Sequence, residues 1–194
     1  MDGRLLAQDG PALGDAGVIV GHADQLRDPW TRAAWVERVF ARARWARLPR
    51  RPRTSALTAF HASQKMTLLA HSPAVCRDLG QLVAGTRGRP AEDLAATYRR
   101  RLLEALSSPA SPNRHVNVLQ HLSGHIADAQ DRVEVATVIE GYCRGDLPLE
   151  TPVGRIREGL DGGAPVWLRI QTYLDPFPAE VMLGDRANQR GGRR

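Results

Sequence analysis

Prolines at the starts of apolar segments divide this chain into helices, and no other feature of the sequence restricts its fold as strongly. Asp28-Pro29 and Ser72-Pro73 each combine a capping residue with a proline suited to the first helical position. Pro90 and Pro112 open two further segments in the same way. Because a proline is tolerated in the first turn and breaks a helix interior, these positions set helix boundaries.

Between these boundaries, apolar residues recur every three or four positions, as on the buried face of a helix. We therefore predict an all-α fold: a compact domain of about six to eight helices, with one N-terminal helix and a flexible basic tail. Gly145 is placed to end one helix, whereas Leu147-Pro148-Leu149 and Thr151-Pro152 predict an extended corner. The expected helices span about 28–48, 55–70, 72–83, 90–106, 112–126, 132–143, 153–160 and 165–174, with a possible last turn at 179–183.

The composition indicates a globular protein without a membrane segment. The chain has 194 residues, 42% of them hydrophobic, and no run of about 18 apolar residues that could cross a bilayer. Its first residues lack a signal-peptide pattern, so we expect a soluble, cytoplasmic protein. Cys76 and Cys143 are not in a CxxC arrangement and are expected to be buried free thiols.

Positive charge is concentrated in one stretch. The formal net charge is +6, and almost all the positive charge is arginine, with Lys65 the one lysine. No acidic residue follows Glu37 in a segment that contains seven arginines, namely Arg38, Arg42, Arg44, Arg47, Arg50, Arg51 and Arg53. Such a segment is either a solvated face and linker or a surface that contacts phosphates.

The segment Asn113–His125 carries more hydrogen-bonding groups than a plain surface helix needs. On a helix, Leu119, Leu122 and Ile126 would face the core, and the amides and imidazoles would lie beside a possible groove. His121 and His125 have the i, i+4 spacing of metal ligands. However, no HExxH glutamate and no third ligand accompany them, and we predict no metal site.

A second polar patch lies between Phe60 and Ser72. His61, Gln64 and Lys65 could share one helical face, and His71 follows at its end. Such a set could hold a phosphate or a base edge, or the histidines could bridge helices inside the core. The sequence contains no GxSxG, no P-loop and no GxGxxG before a helix, so we assign no catalytic residue.

Several motifs follow one another in a distinctive order along the chain. They are Phe60-His61 with Lys65, Leu69-Ala70-His71-Ser72-Pro73, Leu79-Gly80 with Leu82-Val83-Ala84, Arg114-His115-Val116-Asn117-Val118-Leu119-Gln120-His121-Leu122 with Gly124, Tyr142 with Arg144-Gly145, Leu147-Pro148-Leu149 with Pro152, and Gln171 with Tyr173-Leu174 and Pro176. Over roughly residues 54–183, these motifs resemble the YbgA-like domain of unknown function. The pattern departs from that family at Gln64, Cys76 and His125, where the family usually has a histidine, a tyrosine and an aromatic residue.

The preceding stretch resembles the end of the TudS-like thiouracil desulfidase domain. The similar residues are Gln25 to Pro29, Arg32, Trp35 to Phe40 and Arg44-Trp45. In fused proteins, the resemblance implies, this domain precedes the YbgA-like one and removes sulfur from 4-thiouridine in tRNA with an iron–sulfur cluster. Cys76 and Cys143 do not match the desulfidase cysteines, so we expect no iron–sulfur cluster or other cofactor in this chain. The resemblances divide it into a desulfidase-like remnant with a basic linker (1–53), a YbgA-like helical domain (54–184) and a disordered basic tail (185–194).

These observations together favour a non-catalytic accessory module that binds RNA, most simply tRNA, with a desulfidase-type domain as a possible partner. Two alternatives remain: an enzyme in which histidines work on a nucleoside or small substrate, and a helical scaffold that docks another protein. The expected nucleic-acid-binding residues are His61, Lys65, His71, Arg114, His115, Asn117, Gln120, His121, Arg44 and Arg47.

Overall fold

A computed structural model of the protein describes residues 4–6, 20–22, 25–85, 90–160 and 164–176. In this part of the chain the predicted helical class is confirmed. A short antiparallel pair of strands, β1 (Arg4–Leu6) and β2 (Val20–His22), was not predicted. The helices are α1 (Pro29–Ala46), α2 (Thr54–His71), α3 (Pro73–Ala84), α4 (Ala91–Ala105), α5 (Pro112–Ser123), α6 (Ala129–Cys143), α7 (Glu150–Gly159) and α8 (Val166–Arg169).

Side-chain caps explain where several of these helices begin. The carboxylate of Asp28 accepts from the backbone N–H of Thr31 at 2.7 Å, directly before the proline that starts α1. Ser72 and Ser111 cap α3 and α5 in the same way, each followed by proline. These contacts satisfy N–H groups that have no partner within the helix. The predicted role of proline is therefore confirmed at Pro29, Pro73 and Pro112, whereas Pro90 lies one residue before α4 as its N-cap.

Three predicted boundaries were wrong. Helix α6 begins at Ala129, where Asp128 caps it, and not near Arg132. Thr151-Pro152 is not an extended corner: it lies in the first turn of α7, where the missing N–H of proline removes no helical hydrogen bond. Helix α8 ends at Arg169, so the second half of the expected 165–174 helix consists of turns and irregular backbone. The expected last turn at 179–183 and the tail lie outside the described residues.

The core has two clusters that meet at α2. Leu57 and Leu68 of α2 pack with α3 and α4, together with the C-terminal part of α1. Met66 and Ala70 of the same helix pack with α5, α6, α7 and the segment after α8. Leu69 contacts both clusters. Helix α2 is thus the element that joins the two halves of the described structure.

Both cysteines are free thiols, as expected, and Cys76 is buried. Cys143 is exposed, because it is the last residue of α6, so its predicted burial was wrong. Among the described residues, no helix combines the length and apolar character needed to cross a membrane.

The chain reverses direction after α6 through a tight glycine turn. Gly145 has a φ of 82°, and its N–H donates to the carbonyl of Tyr142. The N–H of Asp146 donates to the carbonyl of Gly141, which completes the pattern of a Schellman motif. Gly145 therefore ends α6 as predicted. The side chain of Leu147 then folds back over Gly141, where a Cβ would lie 2.6 Å from its nearest atom.

We expect Gly141→Ala to destabilise the protein by roughly 1–3 kcal/mol, because the added methyl must displace Leu147. Gly154→Ala in α7 is the matched control, since a Cβ there has no neighbour within 4 Å. It should stabilise the protein by roughly 0.5–1 kcal/mol through its higher helix propensity. Urea unfolding of both variants tests this prediction, and equal effects would contradict it.

Candidate functional site

Helix α5 separates its polar and apolar residues onto different faces. Leu119 and Leu122 are fully buried, and Ile126 just beyond the helix is also buried, as predicted. Four predicted binding residues are exposed on α5, namely Arg114, Asn117, Gln120 and His121. The exposed face of this helix therefore carries the largest group of solvent-accessible residues among those predicted to bind nucleic acid.

A shallow groove runs between α5 and α2. Arg114, Asn117 and His121 form its polar side, because they recur at three- and four-residue spacing. Its apolar part consists of Met66, Leu69, Pro73 and Val118. Its volume is about 130 Å³, well below the roughly 300–1,000 Å³ of most small-molecule sites. The groove suits one flat or small group of a larger ligand better than a complete cofactor.

Arg114 connects the groove to the interior. One of its Nη1 hydrogens is donated to the backbone carbonyl of His71, the last residue of α2. A cation at this end of a helix is favourable, because the terminal carbonyls carry partial negative charge. This contact uses one of the five N–H groups of the guanidinium, and the remainder of the exposed side chain is available to an anion.

His71 itself is enclosed between two acceptors. Its Nδ1 lies 2.8 Å from the carbonyl oxygen of Ser108, and its Nε2 lies 2.8 Å from Oε2 of Glu37 on α1. A carbonyl oxygen only accepts, so Nδ1 carries a hydrogen, and a second proton must lie between Nε2 and the carboxylate. The side chain is 1% exposed. His71 therefore binds α1 to the helical domain and has no ring nitrogen left for a ligand.

His115 is buried beside this pair. Its Nδ1 lies 2.9 Å from the hydroxyl of Tyr173. Burial lowers the pKa of His115 to about 4, although the charge of Glu37 acts in the opposite direction. Burial also raises the pKa of Tyr173 well above its usual range. Both groups are neutral at physiological pH and form an internal hydrogen bond.

Tyr142 packs against His115 in the core, with its ring in edge contact with the imidazole at a centroid distance of 6.3 Å. Its buried hydroxyl has no hydrogen-bond partner among the described residues. Burial raises its pKa to about 12. The hydroxyl therefore stays protonated throughout the physiological range.

His61 belongs to the other core cluster. Its Nδ1 lies 3.1 Å from the hydroxyl of the fully buried Tyr98. Its Nε2 would be 3.3 Å from a Cβ at position 80, so Gly80 allows the ring to lie against α3. Burial, and secondarily the charge of Lys65, lower the pKa of His61. His61, like His71 and His115, serves as a core hydrogen-bonding residue.

These contacts revise the predicted site. His71 and His115 are buried and do not reach the solvent-facing surface. His61 is partly buried, and its Nδ1 is engaged in the internal contact with Tyr98. Arg44 is also engaged, since its guanidinium donates to the backbone carbonyls of Asp175 and Pro176. Lys65 and Arg47 are exposed but do not line the groove. On the solvent-facing surface, the structure thus brings together only the α5 residues.

One functional candidate was missed in the sequence. Trp167 of α8 is 37% exposed and contacts the rings of His121 and His125, with centroid distances of 6.3 and 5.2 Å. The two imidazoles are 5.4 Å apart. In the sequence, Trp167 stands between the apolar residues Val166 and Leu168, a pattern that is equally typical of a buried helix.

His121 and His125, the pair with the spacing of metal ligands, lie close together in the structure. No group of three or more histidine, cysteine, aspartate or glutamate side chains in the described part of the chain could hold a metal ion. His121 and His125 are brought together without a third such ligand. Both imidazole rings contact the indole of Trp167.

Comparison with known proteins places these residues in a family context. A family model described as "Protein of unknown function (DUF1722)" matches residues 65–178. The chain is also 35% identical to the "Uncharacterized protein YbgA" of Escherichia coli (strain K12) over 132 residues, which are 66% of this chain and 78% of that protein. No solved structure gives a significant match.

The burial of His115 predicts a loss of stability in acid. Because its pKa is about 4 in the folded protein and about 6.5 when unfolded, the unfolded state binds more protons between these values. The free energy of unfolding is therefore unaffected by the titration of His115 above about pH 6.5. As the pH falls from there to 4, protonation of His115 in the unfolded state lowers the free energy of unfolding by at most about 3 kcal/mol. His115→Gln should reduce this pH dependence of the unfolding free energy. Asn117→Ala, at an exposed position of the same helix, removes no titratable group and should leave it unchanged. Equal slopes for all three proteins would contradict the prediction.

The Glu37–His71 pair predicts strong energetic coupling between α1 and α2. His71→Leu leaves the Glu37 carboxylate and the Ser108 carbonyl without their partner and should cost roughly 3 kcal/mol. Adding Glu37→Leu should cost less than its effect in the wild-type protein, since the carboxylate is then already unpaired. Urea unfolding of the double-mutant cycle measures this coupling. The same cycle on the exposed pair Arg144 and Asp146 is the control and should show much weaker coupling.

Proposed function

The chain belongs to the DUF1722 family of proteins of unknown function. We propose that it is a non-catalytic RNA-binding accessory module, with tRNA as the ligand. The observation that carries the proposal is the exposed face of α5. It presents a guanidinium, two amides and an imidazole, of which Arg114, Asn117 and His121 line a groove. Arginine pairs with phosphate, and amides and imidazoles bind sugar and base edges.

The charge distribution supports an anionic polymer as the ligand. The chain has a net charge of +6, and Arg47, Arg50 and Arg53 are exposed around the linker between α1 and α2. In the described structure none of these three forms an ion pair, whereas Arg51 pairs with Glu92. Unpaired arginines on a surface release counterions when they bind phosphates, which makes binding sensitive to salt.

The resemblance of α1 to the end of a thiouracil desulfidase domain supports a biological setting for this proposal, namely the removal of sulfur from thiouridine in tRNA. Glu37 and Arg44 of this helix bind His71 and the carbonyls of Asp175 and Pro176, so two separate contacts fix α1 on the helical domain. We propose that α1 connects a preceding desulfidase-type domain to the helical domain. In this proposal the iron–sulfur cluster belongs to that partner domain, and the present chain presents the RNA.

The two alternatives receive less support from the geometry. A histidine-dependent enzyme needs imidazoles that converge on a shared cavity. In the described structure His61, His71 and His115 are instead bound to Tyr98, to Glu37 with Ser108, and to Tyr173. A protein scaffold would use the exposed apolar residues of α8, and the binding experiments below distinguish that role from RNA binding.

Electrophoretic mobility shifts with tRNA at a low and a high salt concentration test the proposal. We expect binding at low salt that weakens as salt increases, with a slope set by the number of phosphate contacts. Arg47→Gln/Arg50→Gln should lower both the affinity and that slope, by about one to two phosphate contacts.

The control removes the same charge elsewhere. Arg144→Gln/Arg157→Gln eliminates two arginines that contact Asp146 and Asp175, and it should leave the slope nearly unchanged. No binding at low salt, or binding that does not respond to salt, would refute the proposed function. Equal losses in both double variants would show that only net charge matters, and would refute the assignment of the linker arginines.

A further inference from the structure

An exposed aromatic cluster adjoins the groove at its His121 end. It consists of Trp167 from α8 and of His121 and His125 from the end of α5, with ring centroids 5.2 to 6.3 Å apart. His121 belongs to both features, because it also lines the groove. The surface therefore changes continuously from a guanidinium, at Arg114, through the amide of Asn117 to a set of aromatic rings.

We propose that Trp167 is the stacking platform for one unpaired nucleobase, and that the groove beside it receives the attached sugar and phosphate. This inference deepens the proposed function and rests on it. Aromatic side chains bind unstacked bases through their faces, and such contacts occur in single-stranded loops and ends but not in continuous duplexes. The site would thus select single-stranded segments of an RNA.

The polar groups favour a nucleotide over an apolar peptide. The exposed residues Val166 and Ile170 beside Trp167 make the patch partly apolar. However, its continuation is not a long apolar groove: its volume is about 130 Å³ and one side carries Arg114, Asn117 and His121. Arginine at one end and an aromatic ring at the other match the charge and the flat base of a nucleotide.

A buried glutamine holds the platform and the groove in one rigid arrangement. The side chain of Gln171 donates through Nε2 to the carbonyl of Trp167 at 2.6 Å and to that of Ala62 in α2 at 2.9 Å. Its Oε1 accepts from the backbone N–H of Met66, which lines the groove. Leu168, next to the indole, is fully buried. The ring of Trp167 is thus presented from a fixed backbone, which limits the entropy lost on binding.

The test compares single-stranded RNA of about ten nucleotides with a duplex of the same length, since sites of this kind cover roughly 4–16 nucleotides. Trp167→Ala should weaken single-strand binding roughly five- to a hundred-fold, the usual loss for one stacked base. It should change duplex binding much less. Trp167→Phe should retain most of the affinity, because the phenyl ring keeps a stacking face.

Matched variants separate this site from general effects. Trp30→Ala removes a tryptophan of α1 that is 45% exposed and is distant in sequence from Trp167. It should leave the affinities for single-stranded RNA and for the duplex unchanged. Asn117→Ala should weaken binding, whereas Asn113→Ala, on the same helix but outside the groove, should not. Circular dichroism and melting temperatures confirm that each variant is folded.

The outcomes are distinguishable. If single-stranded RNA binds but Trp167→Ala and Trp30→Ala behave alike, the stacking platform is refuted while the proposed function stands. If neither RNA binds at low salt, both proposals are refuted. If Trp167→Ala leaves RNA affinity intact and abolishes self-association in sedimentation, the cluster is a protein-docking face and the inference is overturned.

Discussion

Long-range hydrogen bonds to helix α2 determine how the rest of this structure is arranged. Glu37 of α1 and the carbonyl of Ser108 bind the two nitrogens of His71, while Arg114 of α5 binds its backbone carbonyl. At the middle of α2, the side chain of Gln171 donates to the carbonyl of Ala62 and accepts from the N–H of Met66. In a regular α-helix, the N–H of Met66 would donate to the carbonyl of Ala62, four residues earlier. The helix is thus fixed along its length by segments from both ends of the described chain.

Such buried polar contacts specify an arrangement more than they stabilise it. Apolar packing alone would let α1 or the segment after α8 slide along α2 at little cost, because hydrophobic contacts are not directional. A histidine enclosed by two acceptors accepts only one position of α1, since any shift leaves a buried polar group unpaired. The neighbouring bond between His115 and Tyr173 fixes α5 against the C-terminal turns by the same logic. The exposed face of α5 is consequently held in one orientation.

The sequence predicted the helices well and the roles of the polar residues poorly, for physical reasons. Caps and prolines act locally, so Asp28 and Ser72 revealed their helices without tertiary information. A histidine has the same chemistry whether it binds a ligand or a carbonyl in the core, and only the fold shows that Glu37 faces His71. Trp167 was missed because its importance depends on His121 and His125, more than forty positions earlier in the sequence.

Arg114 connects the buried network around His71 with the exposed groove on α5. Its side chain both holds the end of α2 and lines the groove, so replacing it would disturb the buried His71 network and the candidate surface together. A loss of binding in such a variant would not identify a phosphate contact. Asn117 and Trp167 have exposed side chains, and the contacts of Trp167 through its backbone survive changes of its ring. The chemistry of the surface is therefore separable from the stability of the fold at these two positions, and Arg114 is where the two are coupled.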